Sequence, residues 1–220
     1  MDALKKNLDQ REKAELIAII QYMLRQEPEL QWFLMTPLPT VSSRKSSLDP
    51  EVYRQQVLAA MAAGENLCKR KRGEVQRRLT AIKTIADEFV ANENYAAALT
   101  IYEVLINEVI HHFNDYRDEY VAFCVMLTGC IDGLDSCFAG EEDNLEVRLR
   151  VLKTLFAIYR FYTESGMDLD EDIPGLLVGN TTPEERGVIA SWAQDALIHK
   201  AAWNSGERYE ILLAALERTN

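Results

Sequence analysis

The side chains able to grip a metal ion are few: Cys68, Cys124, Cys130 and Cys137, with His111, His112 and His199. Structural zinc normally takes four Cys or His ligands, often arriving as close pairs such as Cys-x2-Cys. Cys124, Cys130 and Cys137 instead fall within one helical segment. Six residues of helix turn through about 600°, so Cys124 and Cys130 point roughly 120° apart. Cys130 and Cys137 share a face but stand about 10 Å apart along the axis, too far for a disulfide. His111 and His112 are adjacent and point about 100° apart. Cys68 lies beside positive charges that favour its thiolate and oppose a cation. The expectation is no bound metal, thiols acting as small apolar residues in a reducing compartment, and histidines that interact with a helix C-terminus.

The acidic run Asp168-Leu169-Asp170-Glu171-Asp172 mimics the start of a calcium loop. Ile173 stands where the turn glycine belongs and Gly179 where the bidentate Glu belongs, so a solvated acidic loop is expected. No Gly-x-Ser-x-Gly elbow or phosphate-binding glycine loop is present, and three histidines offer few general bases. These features predict a protein that is not an enzyme and uses no cofactor. Lys69, Arg70, Lys71 and Arg72, followed by Arg77 and Arg78, form the one strong basic cluster, offset by Glu74. It could meet an anionic partner, or it could be a solvated helix start. Gly129 and Gly133 share a helix face, and the spacing predicts close approach by the backbone of a neighbouring helix.

Those groups must be positioned by helices. The 220 residues are 48% hydrophobic and 27% charged, ordinary proportions for a globular chain with a sizeable core. A net charge of −11 argues against sequence-independent binding to nucleic acid, where phosphate contacts favour a basic protein. No apolar run reads as a membrane span of roughly 20 residues, and the N-terminus lacks a signal-peptide core, so a cytoplasmic location is expected.

Apolar residues recur at helical period along most of the chain. A first helix is expected from Asp9, with Asp9 and Glu12 as a capping box, to Gln26, presenting Leu16, Ile20, Met23 and Leu24. After Pro28, a turn bearing Leu30, Trp32, Phe33 and Leu34 is expected to pack back on that face. Residues 36–48 carry two prolines and four serines without periodicity, and read as a flexible linker whose serines lie near Arg44 and Lys45. Asp49-Pro50-Glu51 starts a helix that stops at Gly64. Further helices are expected over 74–91, 95–113, 118–138 and 144–163, the last presenting Leu145, Leu149, Leu152, Phe156 and Tyr159 on one side. Thr182-Pro183-Glu184-Glu185 is a second capping box, and Ser205 caps a final helix. The organisation expected is a helical segment over 1–35, a linker over 36–48 and a main helical domain over 49–220, with about eight helices in antiparallel pairs and essentially no sheet.

The stretch Ala86-x2-Phe89, then Asn94-Tyr95-x2-Ala98-Leu99-x2-Tyr102-x2-Leu105, resembles one tetratricopeptide-type helical hairpin. Small Ala98 permits close helices, and Phe89, Tyr95 and Tyr102 fill space between hairpins. More broadly, Asp49-Pro50-Glu51-x-Tyr53, the Asn94-Tyr95 hairpin and Thr182-Pro183-Glu184-Glu185-Arg186 with Trp192 are similar to the helical region that follows the SWIM zinc finger in some bacterial proteins. The finger's own Cys-x-Cys and Cys-x-His are absent. The resemblance implies an all-α right-handed superhelix, TPR-like, serving as an interaction domain without the finger's metal or nucleic-acid role. The expected function is an adaptor that binds a protein or peptide partner. The alternative is an accessory factor of a nucleic-acid complex acting through residues 69–78.

Overall fold

The computed structural model describes residues 2–26, 34, 48–62, 73–141, 143–167, 172–179, 181–199 and 205–218. The chain divides into two compact units, Met1–Ser42 and Ser43–Asn220. Every described element is helical, and no strand occurs among the described residues.

The first unit holds α1 (Asp2–Asp9) and α2 (Lys13–Gln26). One helix from Asp9 was expected, but Asp9 instead ends α1. The backbone N–H groups of Gln10 and Arg11 bond back to the carbonyls of Asn7 and Leu8 at 3.3 and 3.1 Å, closing the helix with a tight turn. The Arg11 guanidinium bonds Asn7 Oδ1 at 3.0 Å and pairs with Glu15, bridging the break. No residue of α2 is buried: Ile20 and Met23 are exposed, and Leu16 and Leu24 are half-buried. Leu34, expected to pack back, is exposed. Leu30, Trp32, Phe33 and the linker residues 36–47 lie outside the described residues.

The second unit contains α3 (Pro50–Ala62), α4 (Glu74–Ala91), α5 (Tyr95–His112), a 3-10 turn (Arg117–Glu119), α6 (Tyr120–Gly140), α7 (Leu145–Ser165), α8 (Ile173–Gly179), α9 (Pro183–Ile198) and α10 (Ser205–Arg218). Its core runs from Leu48 to Leu216, so the last residue of the expected linker belongs to this core. Polar residues set the helix starts. Asp49 Oδ1 accepts the Glu51 N–H at 3.0 Å. Asn94 and Asn144 accept the N–H of Ala97 and Val147. Thr182 and Glu185 form the expected capping box at 3.2 and 2.8 Å. Gly166, at φ +67°, ends α7 in the left-handed conformation that glycine adopts without steric cost.

Two departures have clear causes. Leu145, expected on an apolar face, is exposed because it opens α7 next to its cap. The short α8, Ile-Pro-Gly-Leu-Leu-Val-Gly, was not anticipated because two glycines and a proline disfavour a helix. Burial of Ile173 and Leu177, and Asp172 Oδ1 accepting the Gly175 N–H at 2.9 Å, hold it together.

Each of α3 to α5 packs on the next helix and the next but one: α3 on α4 and α5, α4 on α5 and α6, α5 on α6 and α7. The pairing of α5 with α6 is antiparallel, because Tyr95 at the start of α5 lies against Gly140 at the end of α6 and Tyr102 against Gly133. By length and composition α6 is apolar enough to cross a membrane, which the sequence reading did not anticipate. Ten of its residues, among them Phe123, Leu127, Cys130 and Leu134, are instead buried within the bundle.

Candidate functional site

The basic segment is only partly described. Lys69, Arg70, Lys71 and Arg72 lie outside the described residues, as does Cys68. Arg77 and Arg78 stand near the start of α4, and both pair with Glu74, Arg78 at 2.7 Å. The single Glu74 carboxylate thus answers one of the two positive charges close by on the helix.

The face marked by Gly129 and Gly133 is closely covered. The space above each glycine is filled by a side chain rather than by a neighbouring backbone, which corrects the expectation. A Cβ at Gly129 would stand 3.2 Å from Lys83 Cε, one at Gly133 would fall 2.2 Å from the Tyr102 hydroxyl, and one at Gly140 would meet the Tyr95 ring at 2.2 Å. The reason lies in the partners: Lys83 and Tyr102 converge on Asp87. Tyr102 donates to Asp87 Oδ1 at 2.6 Å, and the Lys83 ammonium bonds both carboxylate oxygens at 2.9 Å. Burial, followed by the Asp87 hydrogen bond, pushes the Tyr102 phenol far above its ordinary range. The group is therefore a locked neutral donor, a structural clamp joining α4, α5 and α6. Burial likewise pushes the Cys130 and Cys137 thiols up to about 12. Cys124, Cys130 and Cys137 are free thiols.

A second buried clamp ties α7 to α9. Arg148 holds Glu185 bidentately at 2.7 and 3.0 Å, and its guanidinium lies 3.8 Å from the centre of the Phe138 ring. Burial pushes the Glu185 carboxyl up. The hydrogen bonds from Arg148 and from the Thr182 N–H outweigh that and hold it below its ordinary value. Next to it, Arg186 Nη1 donates to the Thr181 carbonyl at 2.7 Å.

His112, expected at a helix C-terminus, bonds Asp115 at 2.9 Å just beyond the end of α5, and His199 Nδ1 lies 3.0 Å from the Asp195 carbonyl at the end of α9. Among the described residues, no three His, Cys, Asp or Glu side chains converge as metal ligands. Asp172, the end of the calcium-like run, lines a small cleft with Asp132 and Asp135, while 168–171 lie outside the described residues.

A groove that the sequence did not reveal runs between α7 and α9. It measures about 220 Å³ and is lined by Lys153, Phe156, Ala157 and Arg160 of α7 facing Trp192 and Asp195 of α9. The rings of Phe156 and Trp192 are 5.8 Å apart. The helical spacing of 153, 156, 157 and 160 was present in the sequence, but the helix that would face it was not specified. No family model, no curated protein and no solved structure matches the chain.

Proposed function

We propose that this chain is a TPR-like helical adaptor, without catalytic activity, that binds a protein partner in a groove between helices. The observation that carries the reading is the packing of α3, α4, α5 and α7, each on the next helix and the next but one, as stacked hairpins pack in an α-solenoid. The polar side chains with the strongest interactions serve as clamps and caps: Asp87, Tyr102, Arg148 and Glu185 hold helices together. The similarity of residues 49–200 to the helical region after a SWIM finger belongs to the same proposal. Of its landmarks, Asp49, Asn94 and Thr182 act as helix starts. The buried thiols of Cys130 and Cys137 suit a reducing compartment such as the cytoplasm.

The test is affinity capture of the full chain from its source cell, followed by cross-linking to identify contact residues. A stoichiometric protein partner that survives nuclease and raised salt is the expected result. Recovery of nucleic acid alone, with affinity falling steeply as salt rises, would replace this reading with the one based on residues 69–78.

A further inference from the structure

We infer that the groove between α7 and α9 is a docking site for a short acidic peptide segment that presents an aromatic or large aliphatic residue beside a carboxylate. The inference rests on the adaptor reading above and names its partner chemistry.

The floor is Phe156, buried, and one wall is the half-exposed Trp192 ring, tilted 44° to it. Ala157 is the small residue that leaves the space open. A pocket of that size takes one apolar side chain, which would rest on buried Phe156 and shield the half-exposed Trp192 face from water. The two lips differ in charge. On the α7 lip, Arg160 is engaged by Glu164 at 2.7 Å, whereas exposed Lys153 has no hydrogen-bond or ion-pair partner among the described residues. On the α9 lip stands the Asp195 carboxylate, shared with His199. One carboxylate of the ligand meets Lys153, and backbone N–H groups of an extended segment meet Asp195. A phosphate chain fits less well: it would bring several negative charges to a groove with one uncompensated cation, next to Asp195 and Glu164, on a chain of net charge −11.

The experiment is a titration of the isotope-labelled full chain, read at the Trp192 indole N–H resonance, which Trp192→Phe assigns. The probes are a blocked pentapeptide with Phe next to a single Asp, the same peptide with Asn for Asp, and adenosine monophosphate. The Asp peptide is expected to move the Trp192 signal saturably. Binding is expected to weaken about tenfold or more with the Asn peptide or in Lys153→Glu, whose exposed position leaves the fold intact. A silent Trp192, equal binding of the two peptides, or tighter binding of the nucleotide would overturn the inference. The stoichiometric partner from the source cell separates the two levels. Its loss with Lys153→Glu supports the groove. Its undiminished recovery with that variant removes the groove and leaves the adaptor reading standing. Its absence with wild type removes both.

Discussion

A single missing methyl group controls the centre of the bundle. At Gly133 even a Cβ would overlap the Tyr102 hydroxyl, and that ring is held by Asp87 on one side and burial on the other. Gly133→Ala must therefore displace a clamped aromatic, at a cost on the order of 1–3 kcal/mol. At Gly129 the neighbour is the flexible stem of Lys83. Gly129→Ala is expected to be neutral, or to stabilise by up to about 1 kcal/mol through helix propensity. Denaturant melts of the two variants check this, and equal losses at both positions would show that the Tyr102 contact is not the cause. The sequence indicated that the two glycines share a face. It did not indicate what fills the face, because residue spacing specifies direction along a helix but not the rotamer of a partner on another helix.

Helix boundaries were legible wherever a side chain makes the cap. Asn94, Asn144 and Thr182 begin helices where their types suggest, and the Thr182–Glu185 box is complete. Thr182→Ala should cost about 1 kcal/mol, seen as a drop of about 2–4 °C in the melting midpoint. An unchanged midpoint would mean that Glu185, held by Arg148, fixes the start of α9 unaided. Boundaries made by backbone were not legible. The break between α1 and α2 comes from carbonyls of Asn7 and Leu8, which any residues could supply. The short α8 survives against its own composition because Ile173 and Leu177 are buried. Tertiary burial overrides propensity there, and no local pattern announces it.

Across the whole molecule, the all-helical class followed from apolar periodicity, and the core residues Leu79, Ile82, Phe89, Ile101 and Leu105 are all buried as their spacing requires. What did not follow was the groove facing Trp192, since it depends on which helices become neighbours. Among the described residues the buried core lies within 48–216, so a chain lacking residues 1–42 should still unfold in one cooperative step. Loss of the cooperative melt on that deletion would contradict a self-sufficient second unit. Acid should weaken this unit through Glu185, whose carboxyl is held below its ordinary value. The contribution is complete above the unfolded glutamate pKa, about 4.3, and is lost as pH falls through the lower folded value. Glu185→Gln is expected to melt below wild type at neutral pH, with the gap closing as the solution is acidified through that range. A gap independent of pH would show that the pair contributes nothing through its charge.

The stacking of rings over glycines also has an evolutionary consequence. Tyr95 with Gly140, Tyr102 with Gly133 and Lys83 with Gly129 form three matched couples across the same helix. Drift at Gly133 or Gly140 is blocked until its aromatic mate shrinks, and a shrunken mate leaves a void until the glycine grows. These positions are epistatic, so they change together or not at all. Distant kin of this chain, divergent everywhere else, should therefore still carry such couples at matching positions, where they can serve as a fingerprint for recognising descent.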